Sequence, residues 1–427
     1  MDGGFENPPT ITIAFSNLYT ARGITLESPQ YDYISSINVQ WFRGQSLRAS
    51  KSYQPTGGTF FCQQLVEAFD RIEITINQTA IPNRHAKINK LYIGTYKFFD
   101  INVLRDVTCI NECDFLTNKL PASQCQWVLD TQDDVDYLFQ FKQPIEVTLD
   151  DDLIGVYYIT TSDKRRKGLY YLNSQNAFGV METIPFSPKR VENQGAAATL
   201  RAWIGNRFPL YITASDRVIN GVFMGTNLRE AVRQLLFAWG VCAATDGCDG
   251  IRVFNLSTDE KEKTQYEVYD SISVKDEALV TRVNVTAHSY SEDSGGSIEI
   301  GGVKYKDTPT VFSVSNPLVT ANDLENVKSF SSATLVSPKT AQATAKGAYN
   351  YYAGRRVTST KVLWDREYLG DPINLPNFEG GVESGNIEKM EIVLSETKAA
   401  KITLRKTLIT TGNVFAGDVF AGEVDAW

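Results

Sequence analysis

Residues 385–406, GNIEKMEIVLSETKAAKITLRK, alternate apolar and polar, turn, and alternate again. A side-chain period of two is the signature of a β-strand, because successive Cβ atoms point to opposite faces. Met390, Ile392 and Leu394 fall on one face of the first arm, and Ile402 and Leu404 face them from the second. The stretch therefore reads as a β-hairpin with one apolar and one charged face. The same alternation recurs along most of the chain, in residues 11–15, 37–41, 72–76 and 281–287. Many short runs of this kind predict a mainly β protein that closes its strands into sandwiches or barrels.

At about 100–200 residues per domain, 427 residues leave room for about two to four domains. In residues 10–95, strand patterns are punctuated by Arg22-Gly23, Ser28-Pro29, Gln54-Pro55-Thr56-Gly57-Gly58 and Ile81-Pro82-Asn83. That spacing predicts a β-sandwich or jelly-roll module over residues 1–96. Residues 97–195 are again strand-rich, with Val107-Thr108-Cys109-Ile110, Gln126-Trp127-Val128-Leu129 and Gly155-Val156-Tyr157-Tyr158-Ile159. Residues 196–269 change character and predict a small α/β domain. Asn227 and Glu230 form a capping-box pattern, Leu228, Ala231, Val232, Leu235 and Trp239 follow at helical spacing, and Gly240 stops the helix. A hairpin through Asp246-Gly247-Cys248-Asp249-Gly250 comes next. Residues 270–427 return to β structure, with one helix whose small-residue face is Ala341, Ala345, Ala348 and Tyr352 and which ends at Gly354. Lys361-Val362-Leu363-Trp364 starts the closing strands, and Pro372 and Pro376 flank a tight connection. The last residues repeat Val-Phe-Ala-Gly from Val414 and again from Val419, a tail that docks on its own domain or on a neighbour.

Composition excludes several function classes. No apolar run approaches the ~18 residues of a membrane span. The start, MDGGFENPP, has neither the basic nor the apolar part of a signal peptide, so folding in a cytosol is expected. A formal net charge of −8 does not suit tight nucleic-acid binding. The one basic run, Lys164-Arg165-Arg166-Lys167, reads as a solvated hairpin tip, with contact to an acidic partner as the alternative. Cys62, Cys109, Cys113, Cys125, Cys242 and Cys248 lack zinc-ligand spacing and read as buried free thiols. His85 and His288 are the only histidines. The chain has no Gly-x-Ser-x-Gly, phosphate loop, Rossmann fingerprint or His-Glu-x-x-His. Asp133-Asp134 and Asp365-Arg366-Glu367 are the nearest candidates for a glycosidase carboxylate pair. Asp150-Asp151-Asp152 reads as a turn between strands, with a divalent cation as the alternative. No catalytic residue, metal ligand or cofactor is assigned. Among the aromatics, Tyr31, Tyr33, Trp41 and Phe42 offer a sugar-stacking platform. Trp41 lies in an alternating strand and is expected in the core, which leaves Tyr31 and Tyr33 as the candidate glycan contacts.

Residues 97–427 resemble the tail-hub, or tail-associated, proteins of long-tailed bacteriophages and related contractile injection machines. The resemblance rests on several landmarks. They are Asn111-Glu112-Cys113-Asp114 leading through Leu120-Pro121, Gly155-Val156-Tyr157-Tyr158-Ile159, and Leu228-Arg229-Glu230-Ala231 with Trp239-Gly240 and Gly250-Ile251-Arg252-Val253. Tyr351-Tyr352 with Arg355-Arg356, Trp364 and Gly370-Asp371-Pro372-Ile373 complete them. Residues 10–95 are similar to the jelly-roll module that precedes such hubs, through Arg71-Ile72-Glu73-Ile74 and residues 86–94.

The resemblance implies two tube-like β-barrel domains, residues 97–195 and 270–427, with the small α/β domain between them. It implies a homotrimer whose six similar surfaces meet a six-fold tail tube or distal tail ring. The tape-measure protein and tip, fibre or receptor-binding proteins are the other implied partners. DNA is expected to pass without specific binding, and an acidic lumen would keep it from sticking. The implied location is the tail tip or baseplate of a virion assembled in a host cytoplasm. Many relatives continue into a fibre or a peptidoglycan-cutting domain. This chain stops at Trp427, so such an activity is expected of a partner. The alternative readings are a carbohydrate-binding protein acting through the N-terminal module, and a cell-wall hydrolase.

Overall fold

The computed structural model describes residues 4–29, 31–95, 99–132, 139, 141–257, 261–320, 324–376, 381–394 and 398–406. The chain divides into two compact units, Met1–Asn102 and Val103–Trp427, and both are mainly β.

The first unit contains β1 (Thr10–Glu27), β2 (Ile34–Arg43), β3 (Ser46–Tyr53), β4 (Thr59–Thr79) and β5 (Lys90–Thr95). They form one antiparallel sheet in the order β3-β2-β4-β1-β5. The expected turn at Arg22-Gly23 is absent, because β1 runs through it. Thr10 pairs with Thr75 at one end of β1 and Glu27 with Thr59 at the other, with register shifts between Ala14 and Gly23. Gly23 has a φ of +141°, and a Cβ there would lie 2.2 Å from the Cys62 carbonyl oxygen. The glycine therefore makes a bulge, which bends a strand without ending it. Both arms of the bent sheet share one core. Ile24, Leu26 and Cys62 come from one arm and Trp41, Ile72 and Ile74 from the other. Phe69 packs edge-on against Trp41 with ring centres 4.7 Å apart. The Tyr53 hydroxyl donates to the Gln63 carbonyl at 2.9 Å, drawing the β3 edge toward the first half of β4. Residues 54–58 and Ile81-Pro82-Asn83 connect strands, as expected.

The second unit begins with β6 (Leu104–Glu112), β7 (Gln124–Asp130), β8 (Pro144–Leu149), β9 (Asp152–Arg166) and β10 (Leu169–Gln175). Next come α1 (Ala177–Glu182), β11 (Lys189–Gly195), α2 (Ala196–Ile204), β12 (Leu210–Ile212), β13 (Val218–Phe223) and α3 (Leu228–Trp239). The short strands β14 (Cys242–Ala244), β15 (Ile251–Phe254), β16 (Lys261–Glu262) and β17 (Ser273–Asp276) lead into β18 (Arg282–Glu292), β19 (Ile298–Ile300), β20 (Val303–Ser315) and β21 (Val327–Phe330). The described part closes with α4 (Pro338–Ala353), β22 (Arg356–Leu363), β23 (Pro372–Pro376), β24 (Val382–Val393) and β25 (Ala399–Arg405).

An eleven-stranded sheet holds the order β17-β22-β25-β24-β6-β7-β10-β9-β8, with β23 also pairing with β24 and β16 pairing with β23. The β24–β25 hairpin forms as its alternation predicts, with Met390 opposite Ile402 and Ile392 opposite Ala400. It lies inside the sheet, between β22 and β6. Pairing of β24 with β6, Lys389 opposite Glu112, joins the first strands of this unit to its last. The closing strands start earlier than expected, at Arg356, and Leu363 ends the first of them. Pro372 and Pro376 bound a strand, β23, where a tight connection is expected. A proline at a strand end leaves the ladder of the intervening residues intact, and β23 pairs along its length with β24.

The helices explain the apolar stretches that do not alternate. Asn227 caps α3 by accepting the Glu230 amide at 2.8 Å, and Gly240 ends it at a φ of +77°. The capping box is half formed: the Glu230 carboxylate turns to Arg233, at 2.6 and 2.7 Å, instead of back to the cap. Ala341, Ala345 and Ala348 of α4 are buried, and their small size lets α4 lie close on β18 and β20. The sequence reading misses α1 and α2. A run such as AAATLRAWI gives α2 good helix propensity, but it is too short to show a clear period.

Candidate functional site

Three buried ionic centres hold the sheets, loops and helices of the second unit in register. In the first, Arg405 at the end of β25 reaches Glu388 of β24 at 3.1 and 3.0 Å and Glu277 at 2.9 and 3.2 Å. Its guanidinium lies 4.4 Å from the ring centre of Tyr351 on α4, and the Tyr351 hydroxyl donates to Glu388 at 2.8 Å. The two carboxylates respond differently. Hydrogen bonds from Arg405 hold Glu277 below the usual carboxylate range. Burial raises Glu388 despite the same guanidinium, and Arg405 itself is held charged. One cation shared by two anions does not offset the desolvation of the deeper one.

In the second centre, Asp246 is fully buried between Arg252, at 2.8 Å, and the Leu369 amide, at 2.6 Å. Burial raises its carboxyl against the pull of Arg252. In the third, Lys263 and Glu367 form an ion pair with each side chain 3% exposed. The Lys263 ammonium also donates to the Leu363 carbonyl at 3.1 Å, and Glu367 accepts the Asp365 amide at 2.7 Å. Asp246 and Arg252 are six residues apart across one hairpin, but Leu369, Glu367 and Glu277 come from segments about a hundred or more residues from the groups they meet. Charge alternation along a strand carries no signal for them.

The structure places each sequence candidate. Glu367 is occupied by Lys263, so Asp365 and Glu367 are not a free carboxylate pair. Asp133 and Asp134 lie outside the described residues, as does the repeated tail. Asp150 and Asp151 take φ of +49° and +67°, the paired positive values of a two-residue hairpin turn. Asp150 pairs with Lys398 at 2.5 Å and Asp152 with Arg366 at 2.7 Å. Among the described residues, no three His, Cys, Asp or Glu side chains gather to hold a metal ion, and no helix is long and apolar enough to cross a membrane. Lys164-Arg165-Arg166-Lys167 sits at an exposed hairpin tip, where Arg165 pairs with Asp163 at 2.8 Å.

All six cysteines are free thiols, and five are buried. Cys109 and Cys125 oppose each other on β6 and β7 with sulfurs 3.4 Å apart. His85 is exposed. His288 Nδ1 meets Asp307 at 2.7 Å, and Nε2 lies 3.3 Å from the Ser331 carbonyl. Both ring nitrogens are thus engaged. Tyr31 is 84% exposed on the β1–β2 loop, whereas Tyr33 is half-buried and its carbonyl accepts the Ala80 amide. Trp41 is in the core, and Phe42 lies under the Arg71 guanidinium at 4.4 Å. The four aromatics do not form one platform.

The charged face of the β24–β25 hairpin continues across the sheet. Lys361, Lys401 and Glu391 form one cross-strand row, and Ser359, Thr403, Lys389 and Glu112 form the next. On β6, β7, β10 and β9 the same face carries Thr108, Gln126, Asn173 and Thr161. It has mixed charges at one end and uncharged amides and hydroxyls at the other. The opposite face holds Cys109, Trp127, Leu172, Met390 and Ile392, all buried.

No family model and no curated protein matches the chain. Solved structures do. The tail protein from Neisseria meningitidis MC58 superposes with a TM-score of 0.52 at 11% identity, covering 71% of this chain and 95% of that one. The 43 kDa tail protein of prophage MuSo2 from Shewanella oneidensis superposes with a TM-score of 0.50 at 9% identity, covering 71% and 97%. The chain is structurally similar to phage tail proteins over most of its length.

Proposed function

We propose that this chain is a structural, non-enzymatic component of a phage-type tail, forming a homotrimeric hub at its distal end. The observation that supports this reading is the fold it shares with two tail proteins over 95% and 97% of their lengths. In this reading residues 97–195 and 270–427 supply the two tube-like β-barrel domains, 196–269 the small α/β domain, and 1–96 the jelly-roll module. Three chains then present six similar surfaces to the six-fold tail tube or distal tail ring. Their three-fold side meets tip, fibre or receptor-binding proteins, and the tape-measure protein and DNA occupy the axis. The polar sheet face supports the channel role. Lys361 and Lys401 are adjacent cations on this face, but Glu391 continues their row, and the amides and hydroxyls beyond it give DNA no continuous line of cations to hold it. The ionic centres support a structural role, because they spend buried carboxylates on holding elements together. The place of action is the tail tip of the virion.

A second reading, glycan binding by the first unit through Tyr31 and Tyr33, is favoured by the exposure of Tyr31. The hub reading is tested by light scattering of the purified chain, with negative-stain images of the same fraction. A trimer with a central hole is expected. A chain that stays monomeric even when mixed with its tail-tube protein would overturn it.

A further inference from the structure

We propose that Phe61 and Tyr92 form a glycan-binding platform on the outer face of the β4–β1–β5 arm of the first unit. The site differs from the Tyr31 loop and does not depend on the hub reading. Strand register sets Phe61, Thr25 and Tyr92 in one cross-strand row, with Gln63, Gly23 and Gly94 in the next. Residues opposite one another in a sheet share a face. The other face of this arm is core, since Cys62, Ile24 and Leu26 are buried. Phe61 is 49% exposed and Tyr92 47%. The Phe61 ring leans over Gly23, where an added Cβ would lie 3.1 Å from its Cε2 atom.

The two glycines of the second row have different reasons to be there. Gly23 is required by its positive φ and by the Cys62 carbonyl that a side chain would strike. Gly94 is not required: a Cβ there would meet only the Gly23 carbonyl oxygen, at 3.9 Å. Glycine inside a strand weakens it, and one that the fold does not need marks a place where another molecule approaches the backbone. Gly94 neighbours Tyr92 on the exposed face.

The spacing and the rim select the ligand. Phe61 and Tyr92 stand on strands separated by β1, about 9.5 Å apart at the backbone. That is close to two sugar residues of an extended β-1,4-linked polysaccharide, in which alternate pyranoses turn the same face to a surface. Thr25 lies between Phe61 and Tyr92 in their row, Gln63 stands in the next row, and Glu27 faces Lys90 on the other side. Hydroxyl, amide and charged groups around aromatic rings suit the hydroxyl and acetamido groups of a pyranose chain. Leu65, 53% exposed, extends this face along β4, but the hydroxyl and amide groups set among the apolar side chains suit a sugar chain better than the continuous apolar core of a protein-docking face.

The test uses the full chain with cellohexaose and chitohexaose as probes, followed by saturation-transfer NMR and calorimetric titration. Binding of at least one probe is expected, weakened about tenfold by Phe61→Ala or Tyr92→Ala. Gly94→Val should also weaken binding while leaving the unfolding midpoint unchanged, which separates the site from the fold. Tyr31→Ala should bind as the unmodified chain does. No binding of either probe would overturn the proposal. So would binding that survives Tyr92→Ala and Gly94→Val, or binding lost only in Tyr31→Ala.

Discussion

Arg405 and Glu388 stand on neighbouring strands, and the Arg405 Nε donates to both oxygens of the Glu388 carboxylate, at 3.1 and 3.0 Å. The remaining guanidinium nitrogens serve Glu277. Arg405 thus ties β24 and β25 to the segment after β17, and through Tyr351 to α4.

Removing that guanidinium strands the buried Glu388 carboxylate, whereas Glu277, whose side chain is 40% exposed, turns to water. Arg405→Met should cost about 3–5 kcal/mol, the range for breaking a buried pair. Arg405→Met with Glu388→Gln should recover part of the loss. Urea unfolding of the single and double variants measures both. Equal midpoints for Arg405→Met and the unmodified chain would show that the pair contributes nothing.

The two carboxylates predict opposite pH dependence. Glu277 is held below its ordinary value of 4.5, so its contribution is present above that pH and lost as pH falls through the folded value. Glu388 is raised above 4.5 by burial, so the folded state binds the extra proton and stability falls as pH rises through that window. Glu277→Gln should flatten the acid limb of a stability–pH curve, and Glu388→Gln the limb above it. The opposite assignment of limbs would refute the burial argument.

Gly23 and Gly44 separate backbone strain from collision. Gly44 has a φ of +57° and nothing within 4 Å of an added Cβ. Gly44→Ala should cost about 1 kcal/mol. Gly23→Ala adds a 2.2 Å contact with the Cys62 carbonyl to its own positive φ and should cost severalfold more. Thermal unfolding of both variants checks the ratio.

Thiol accessibility follows burial. Cys248 is half-buried, and burial pushes its thiol up to about 11. Cys62 is buried and is pushed up to about 12. Sulfhydryl titration of the native chain should modify Cys248 slowly and the other five only on unfolding. Rapid reaction of several thiols would contradict the packing around Cys109, Cys113 and Cys125.

Much of this architecture is legible in the sequence because the forces behind it are local. The β24–β25 hairpin, the α3 cap at Asn227 and the alanine face of α4 follow from periodicity and capping, which need only neighbouring residues. The bend at Gly23 was misread because glycine serves turns and bulges alike, and only the partner strand decides between them. Pro372 and Pro376 were misread because a proline at a strand end looks like a proline in a connection. Arg405 and Lys263 were missed because Glu277 and Glu367 arrive from distant segments, and Asp246 because only the distant Leu369 segment, packed over its hairpin, buries the pair it makes with nearby Arg252. The pairing of β6 with β24 was missed for the same reason, since alternation predicts that strands exist and not which ones meet. Phe61 and Tyr92 lie in strands that look like any other, and their shared face appears only once the register is known.

That pairing also sets a timetable. Lys389 and Glu112 face each other across β24 and β6 although 277 residues separate them. During synthesis β6 emerges early and waits with one edge open until the hairpin containing β24 has left the ribosome. The central sheet therefore completes only after nearly all of the chain exists. An interrupted product keeps an unpaired strand edge, which favours aggregation over assembly. An assembly that admits only the completed sheet thereby excludes truncated copies without any separate checkpoint.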